Sequence, residues 1–94
     1  MFTANDVHAI VEKQRNFFNS GKTLDVSWRI AQLKKLKKAV LANEEAFEKA
    51  LYEDLGRSKV EAYLCDIGPI IVEINETIRG LKHWARPETH RSGL

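Results

Sequence analysis

The feature that most constrains this chain is an apolar series: Val60, Tyr63, Leu64, Ile67, Ile70, Ile71, Ile74, Ile78 and Leu81. Gly68 and Pro69 are set into its middle. Steps of three and four put these side chains on one stripe of a helix about six turns long. A proline inside a helix has no N–H to donate, and its ring crowds the carbonyl four residues back, here that of Cys65. The cost is about 3 kcal/mol in a regular helix. The pattern therefore predicts a helix that kinks, or breaks in two near Ile67, and ends around His83 or Trp84. β-Branched residues dominate the stripe, so a strand over residues 70–74 is the competing reading. Polar and apolar residues do not alternate there, which favours the helix.

Three further helical stretches precede it. Thr3 followed by Asp6 reads as a capping box, a hydroxyl for a free N–H and an acid three residues on. Val7, Ile10, Val11, Gln14, Phe17 and Phe18 then form a stripe that Gly21 closes. Asp25 is placed to cap a second helix, whose apolar positions Val26, Ile30, Leu33, Leu36, Val40 and Leu41 run to about Ala42. Asn43 reads as the cap of a third, at a kink or a break, carrying Ala46, Phe47, Ala50, Leu51 and Leu55 and stopped by Gly56. Ser58 and Glu61 give the last stripe its own capping box. The expected class is all-α, with three to four helices spanning residues 1–87. Residues 88–94 show no periodicity and read as a tail or the start of a linker.

Ninety-four residues bury only a modest core, about 60–65% of the unfolded surface. A net charge of +2 is too small for whole-chain electrostatics to imply a nucleic acid or a membrane. Cys65 is the single cysteine, so no disulfide forms within the chain, and a reducing compartment is the simpler expectation. The start, Met1 to Lys13, has no basic leader followed by an apolar run, and no stretch nears the ~18 apolar residues of a membrane span. The cytoplasm is the expected location.

Each apparent site has a plainer explanation. Cys65 sits about two turns into a helix beside Asp66, whereas reactive thiols favour electropositive, accessible settings such as a helix N-terminus. A packing role is expected. His8, His83 and His90 lack the close pairing of zinc ligands, and His83 suits a helix C-terminus, where a positive imidazole is favoured. Gly21-Lys22-Thr23 resembles the end of a phosphate loop, but the first glycine is missing and a helix precedes it. Among the lysines from Lys34 to Lys38, Lys34, Lys35 and Lys38 point away from the apolar stripe. Lys37 and Arg29 sit at its edge with packed stems and snorkelling heads. A nucleic-acid face needs basic residues from other helices beside this run, and the neighbouring stretch from Glu44 to Glu48 is acidic. A solvated face is expected, and no catalytic, cofactor-binding or metal-binding residue is assigned.

The order of several motifs carries more information than any one of them. Residues Gln14 to Thr23 (QRNFFNSGKT) are followed by Arg29 to Leu36 (RIAQLKKL) and by Glu53-Asp54-Leu55-Gly56-Arg57-Ser58-Lys59. Glu61-Ala62-Tyr63, Asp66-Ile67-Gly68-Pro69, Glu73-Ile74 and Trp84-Ala85-Arg86-Pro87 complete the series. From about Val11 to Pro87 this closely resembles the amino-terminal helices of class 3 aldehyde dehydrogenases, the group of fatty-aldehyde and benzaldehyde dehydrogenases. Asp66 stands where glutamate is more usual in the family.

The resemblance implies NAD(P)-dependent oxidation of aldehydes to carboxylic acids. In that family a cysteine thiolate attacks the carbonyl, hydride passes to the nicotinamide, and a glutamate activates the water that releases the acyl group. None of those residues maps onto a position here, and Cys65 does not match the nucleophile's surroundings. The implied fold is the helical start of an α/β, Rossmann-like cofactor domain, with NAD or NADP held elsewhere in the full-length enzyme. The implied role is structural, with the chain inactive alone and the remainder of the enzyme as its partner. The rival expectation is a small helical module that self-associates through the face running from Ile67 to Leu81, without enzymatic activity.

Overall fold

The structure, a computed structural model, describes residues 1–93 and is all-helical, with no strand among those residues. Helix α1 spans Ala4–Asn19, α2 Val26–Ala42 and α3 Glu44–Leu55. The last helix, α4, joins three parts: one α turn at Lys59–Glu61, a π turn at Ala62–Ile67 and an α-helix at Gly68–Trp84. Residues 70–74 are helical, as the missing alternation predicts. The stretch 88–93 has no regular structure, and Leu94 of the expected tail lies outside the described residues.

Local chemistry sets most boundaries. The Thr3 hydroxyl accepts from the Asp6 N–H at 3.2 Å, and the Asp6 carboxylate accepts from the Thr3 N–H at 2.9 Å, so the box is closed in both directions. Asp25 caps α2 by accepting from the Ser27 N–H. Gly21 and Gly56 follow α1 and α3 with φ of 80° and 68°, the left-handed region that costs a side chain most. A 3-10 turn, Lys22–Leu24, leads into α2, and Arg29 of α2 donates to the Thr23 and Leu24 carbonyls. Its guanidinium therefore clamps this turn, where the sequence suggests a head reaching for solvent.

Asn43 corrects one expectation. Its side chain makes no cap bond to α3; its Nδ2 donates to the Ala39 carbonyl at 2.8 Å and closes α2. The start of α3 is favoured instead by Glu44 and Glu45, whose charges suit the positive end of the helix dipole.

The predicted kink takes the form of the π turn, which keeps α4 joined but bent. The Gly68 N–H donates to the Tyr63 carbonyl, five residues back. Widening the turn in this way accommodates Pro69, which has no N–H to continue the regular ladder. Gly68 is needed there, since a Cβ at that position would lie 2.7 Å from the Tyr63 carbonyl oxygen.

The π turn also rotates the stripe. One residue adds roughly 100° to a regular helix, so an inserted residue puts the two halves out of phase by about that angle. Ile67 and Ile74 are buried and Ile71, Ile78 and Leu81 half-buried, whereas Val60 and Leu64 are 67% and 66% exposed. The single stripe predicted from sequence is thus two faces. α2 packs against the Gly68–Trp84 part of α4, and α3 against the π turn. Val40, Ala62, Ile67 and Ile74 form the core. The face from Ile67 to Leu81, on which the rival expectation of self-association rests, packs in part within the chain, with Ile67 and Ile74 buried and Ile71, Ile78 and Leu81 half-buried.

The assembly is open. Its radius of gyration is 18.8 Å with extents of 60 × 37 × 25 Å, against about 12 Å for a compact domain of this length. Neither α1 nor α3 has a buried residue.

Candidate functional site

Several polar contacts meet where α3 turns into α4. Gly56 ends α3, Ser58 caps α4 by accepting from the Glu61 N–H at 3.2 Å, and Arg57 lies between them. The Ser58 hydroxyl also meets the Glu61 carboxylate at 3.3 Å, so Glu61 turns to the hydroxyl rather than reaching back to the cap's backbone. This layout carries Arg57 Nε to 3.0 Å from Asp66 Oδ2 on the π turn. Both atoms are buried although their side chains are about 30% exposed, and neither makes a well-aligned hydrogen bond. The contact is an ion pair held by packing. The sequence reading did not anticipate it; the signal was a basic residue between a glycine stop and a serine cap, with an acid eight residues after the cap.

The residues weighed as chemical candidates do not converge. Cys65 is exposed on the π turn rather than packed in the core. His8 lies in α1, His83 in the last turn of α4 beside Arg86, and His90 next to Glu88 in the terminal stretch. No group of three metal-capable side chains forms among the described residues. Gly21-Lys22-Thr23 follows a helix and folds as a 3-10 turn, with the Lys22 N–H directed at the Ser20 hydroxyl and the Leu24 N–H at the Gly21 carbonyl. A dinucleotide's phosphates need a glycine-rich turn from a strand into a helix N-terminus. This turn does not fit that group.

Lys34, Lys35 and Lys38 are exposed and Lys37 half-buried, as the edge position predicts. No helix among the described residues is long and apolar enough to cross a membrane. What the fold does present is uncovered apolar surface. On α1 the stripe Val7, Ile10, Val11, Phe17 and Phe18 is exposed. Its Phe17 ring tilts against Trp28 of α2 with 5.6 Å between centroids. On α4 the outer face carries Val60, Tyr63, Leu64 and Val72. Such contiguous apolar faces mark surfaces built to be covered.

No family profile matches the chain. Individual proteins do. A chloroplastic aldehyde dehydrogenase family 3 member I1 of Arabidopsis thaliana is 32% identical over 93 residues, which is 99% of this chain and 17% of that protein. A 4,4'-diaponeurosporen-aldehyde dehydrogenase of Staphylococcus aureus is 46% identical over 70 residues, 74% of this chain and 15% of its own length. A dimeric NADP-preferring aldehyde dehydrogenase of Mus musculus is 33% identical over 84 residues, 89% of this chain and 18% of its own length. The chain is homologous to the class 3 aldehyde dehydrogenases.

This class 3 homology spans less than a fifth of each of these relatives, a share that fits an amino-terminal segment. Two of the aldehyde dehydrogenase motifs read from sequence fall on structural joints, Gly56 to Lys59 on the α3–α4 junction and Asp66 to Pro69 at the π turn, while Arg29 to Leu36 and Glu73-Ile74 lie within helices.

Proposed function

We propose that this chain is the amino-terminal helical segment of an NAD(P)-dependent aldehyde dehydrogenase and has a structural role. Its helices cover and brace a cofactor-binding domain supplied by the rest of the enzyme. On this reading the thiol nucleophile, the general base and the NAD- or NADP-binding strands all belong to that remainder. Residues 1–87 form the helical segment and 88–94 lead toward the linker. The oxidation takes place in the cytoplasm, and neither nucleic acid nor membrane is bound by this part.

The observation that carries the reading is the homology over nearly the whole of this chain and under a fifth of each relative. Two physical features support it. The chain is far less compact than a free-standing domain of its length, and α1 leaves its apolar stripe uncovered. A remaining domain against α1 and the outer face of α4 accounts for both. A chimera tests this. In it, residues 1–87 replace the matching segment of the Staphylococcus aureus relative. The expected result is a folded chimera that reduces NAD or NADP when given the aldehyde that relative oxidises. A folded chimera that binds the coenzyme yet lacks this activity counts against a structural role.

A further inference from the structure

The fold brings charged and polar groups together in the cleft between α2 and α4. Lys34 and Lys37 line one wall, and Asn75, Ile78 and Arg79 the other. Its volume is about 470 Å³, in the size range of small-ligand sites. Sequence alone sets the lysines beside an acidic neighbour, Glu44 to Glu48, and offers no cation from another helix. Folding changes that: packing α2 on α4 sets Arg79 across from the lysine pair, and no acid lines the cleft. The helix rise places Lys34 and Lys37 about 4.5 Å apart along the axis, close enough for both to reach one small anion.

We infer that this cleft is a binding site for a small phosphate-bearing anion of the diphosphate type. Arg79 offers a planar fork of N–H donors, and the two lysines add mobile point charges. Asn75, half-buried, contributes an amide that donates without adding charge. Ile78, half-buried, adds an apolar group to the lining, while Lys34 and Arg79 are exposed and free to swing toward an anion. Three cations around one anion favour a multiply charged group over a single carboxylate. The site is independent of the proposed aldehyde chemistry, which none of these residues serves.

The test titrates the 94-residue chain with inorganic pyrophosphate at low salt and follows backbone amide shifts. The expected result is saturable binding whose shifts cluster on residues 34–37 and 75–79. Lys37→Gln and Arg79→Gln are each expected to weaken it about fivefold or more, consistent with loss of one charge-assisted contact, while Lys59→Gln, outside the cleft, leaves it unchanged. Unchanged helical circular dichroism in the variants shows that the fold survives. Titration with ATP asks whether the same diphosphate chemistry is accepted on a nucleotide, and equal loss in the two variants supports the site. Undiminished affinity in the Lys37→Gln/Arg79→Gln double variant overturns the inference. So does binding of duplex DNA without saturable binding of pyrophosphate, which would make the surface a nucleic-acid contact instead.

Discussion

Arg57 Nε and Asp66 Oδ2 meet at 3.0 Å across the α3–α4 junction, nine positions apart in sequence and both buried at their contact atoms. The pair fastens the loop after α3 to the π turn that sets the direction of α4. Its side chains keep about 30% of their exposure, so its worth lies between that of a surface bridge and a buried one.

Removing either partner is expected to cost about 1–2 kcal/mol, above the surface median and below the loss from a fully buried pair. Urea unfolding of Arg57→Ala, Asp66→Ala and the double variant measures this as a cycle. Strict additivity of the single losses would show that the charges do not couple.

Gly68→Ala addresses the π turn. The new Cβ would lie 2.7 Å from the Tyr63 carbonyl oxygen, an atom of the backbone that cannot swing aside. The expected loss is about 1–3 kcal/mol, in the range of overpacking changes, with amide shift changes concentrated on residues 62–69. An equally stable alanine variant would mean that the turn relaxes to a regular helix at no cost.

Trp28→Ala is expected to loosen α1. The tilted Phe17–Trp28 pair links α1 to α2, and such ring pairs contribute roughly 0.5–1.5 kcal/mol beyond their buried area. Limited proteolysis is the readout, with cleavage near the Lys22–Leu24 turn accelerating while the α2–α4 core resists. Unaltered cleavage there would show that α1 is held by other contacts.

Acid is expected to fray α1 from its start. The Thr3 backbone N–H, and then the Thr3 hydroxyl, hold the Asp6 carboxyl below its ordinary value. A lowered folded pKa gives stability that is present above the unfolded value near 3.8 and lost as pH falls through the lower folded one. Amide exchange over residues 4–8 should therefore rise in that acid window, and Asp6→Asn should remove the pH dependence. The same acid response in the asparagine variant would assign it to another carboxyl.

Features governed by neighbouring residues were legible before the fold. Thr3, Asp25, Gly21 and Gly56 act through groups within a few positions, and their roles hold in the structure. Asn43 was misread because an asparagine at a helix junction serves either side, and only the geometry shows its amide turned back to Ala39. The kink at Pro69 was visible, but its consequence was not: the π turn moves Val60 and Leu64 off the face that carries Ile67 and Ile74. Cys65 follows from the same rotation and is exposed instead of packed. Arg57 and Asp66 meet only once the loop between them is folded. The aldehyde dehydrogenase homology was legible from the order of motifs, because families preserve such order where single spacings recur by chance.

On the proposed reading the chemistry lies outside these residues. The most direct measurement mixes the purified 94-residue chain with NAD or NADP and an aldehyde, and follows reduced nicotinamide by absorbance. The expected result is no reduction above that of the buffer. Sustained, protein-dependent reduction that survives Cys65→Ser would contradict this outright, and reduction abolished by Cys65→Ser would contradict it by placing the nucleophile on the exposed thiol of the π turn.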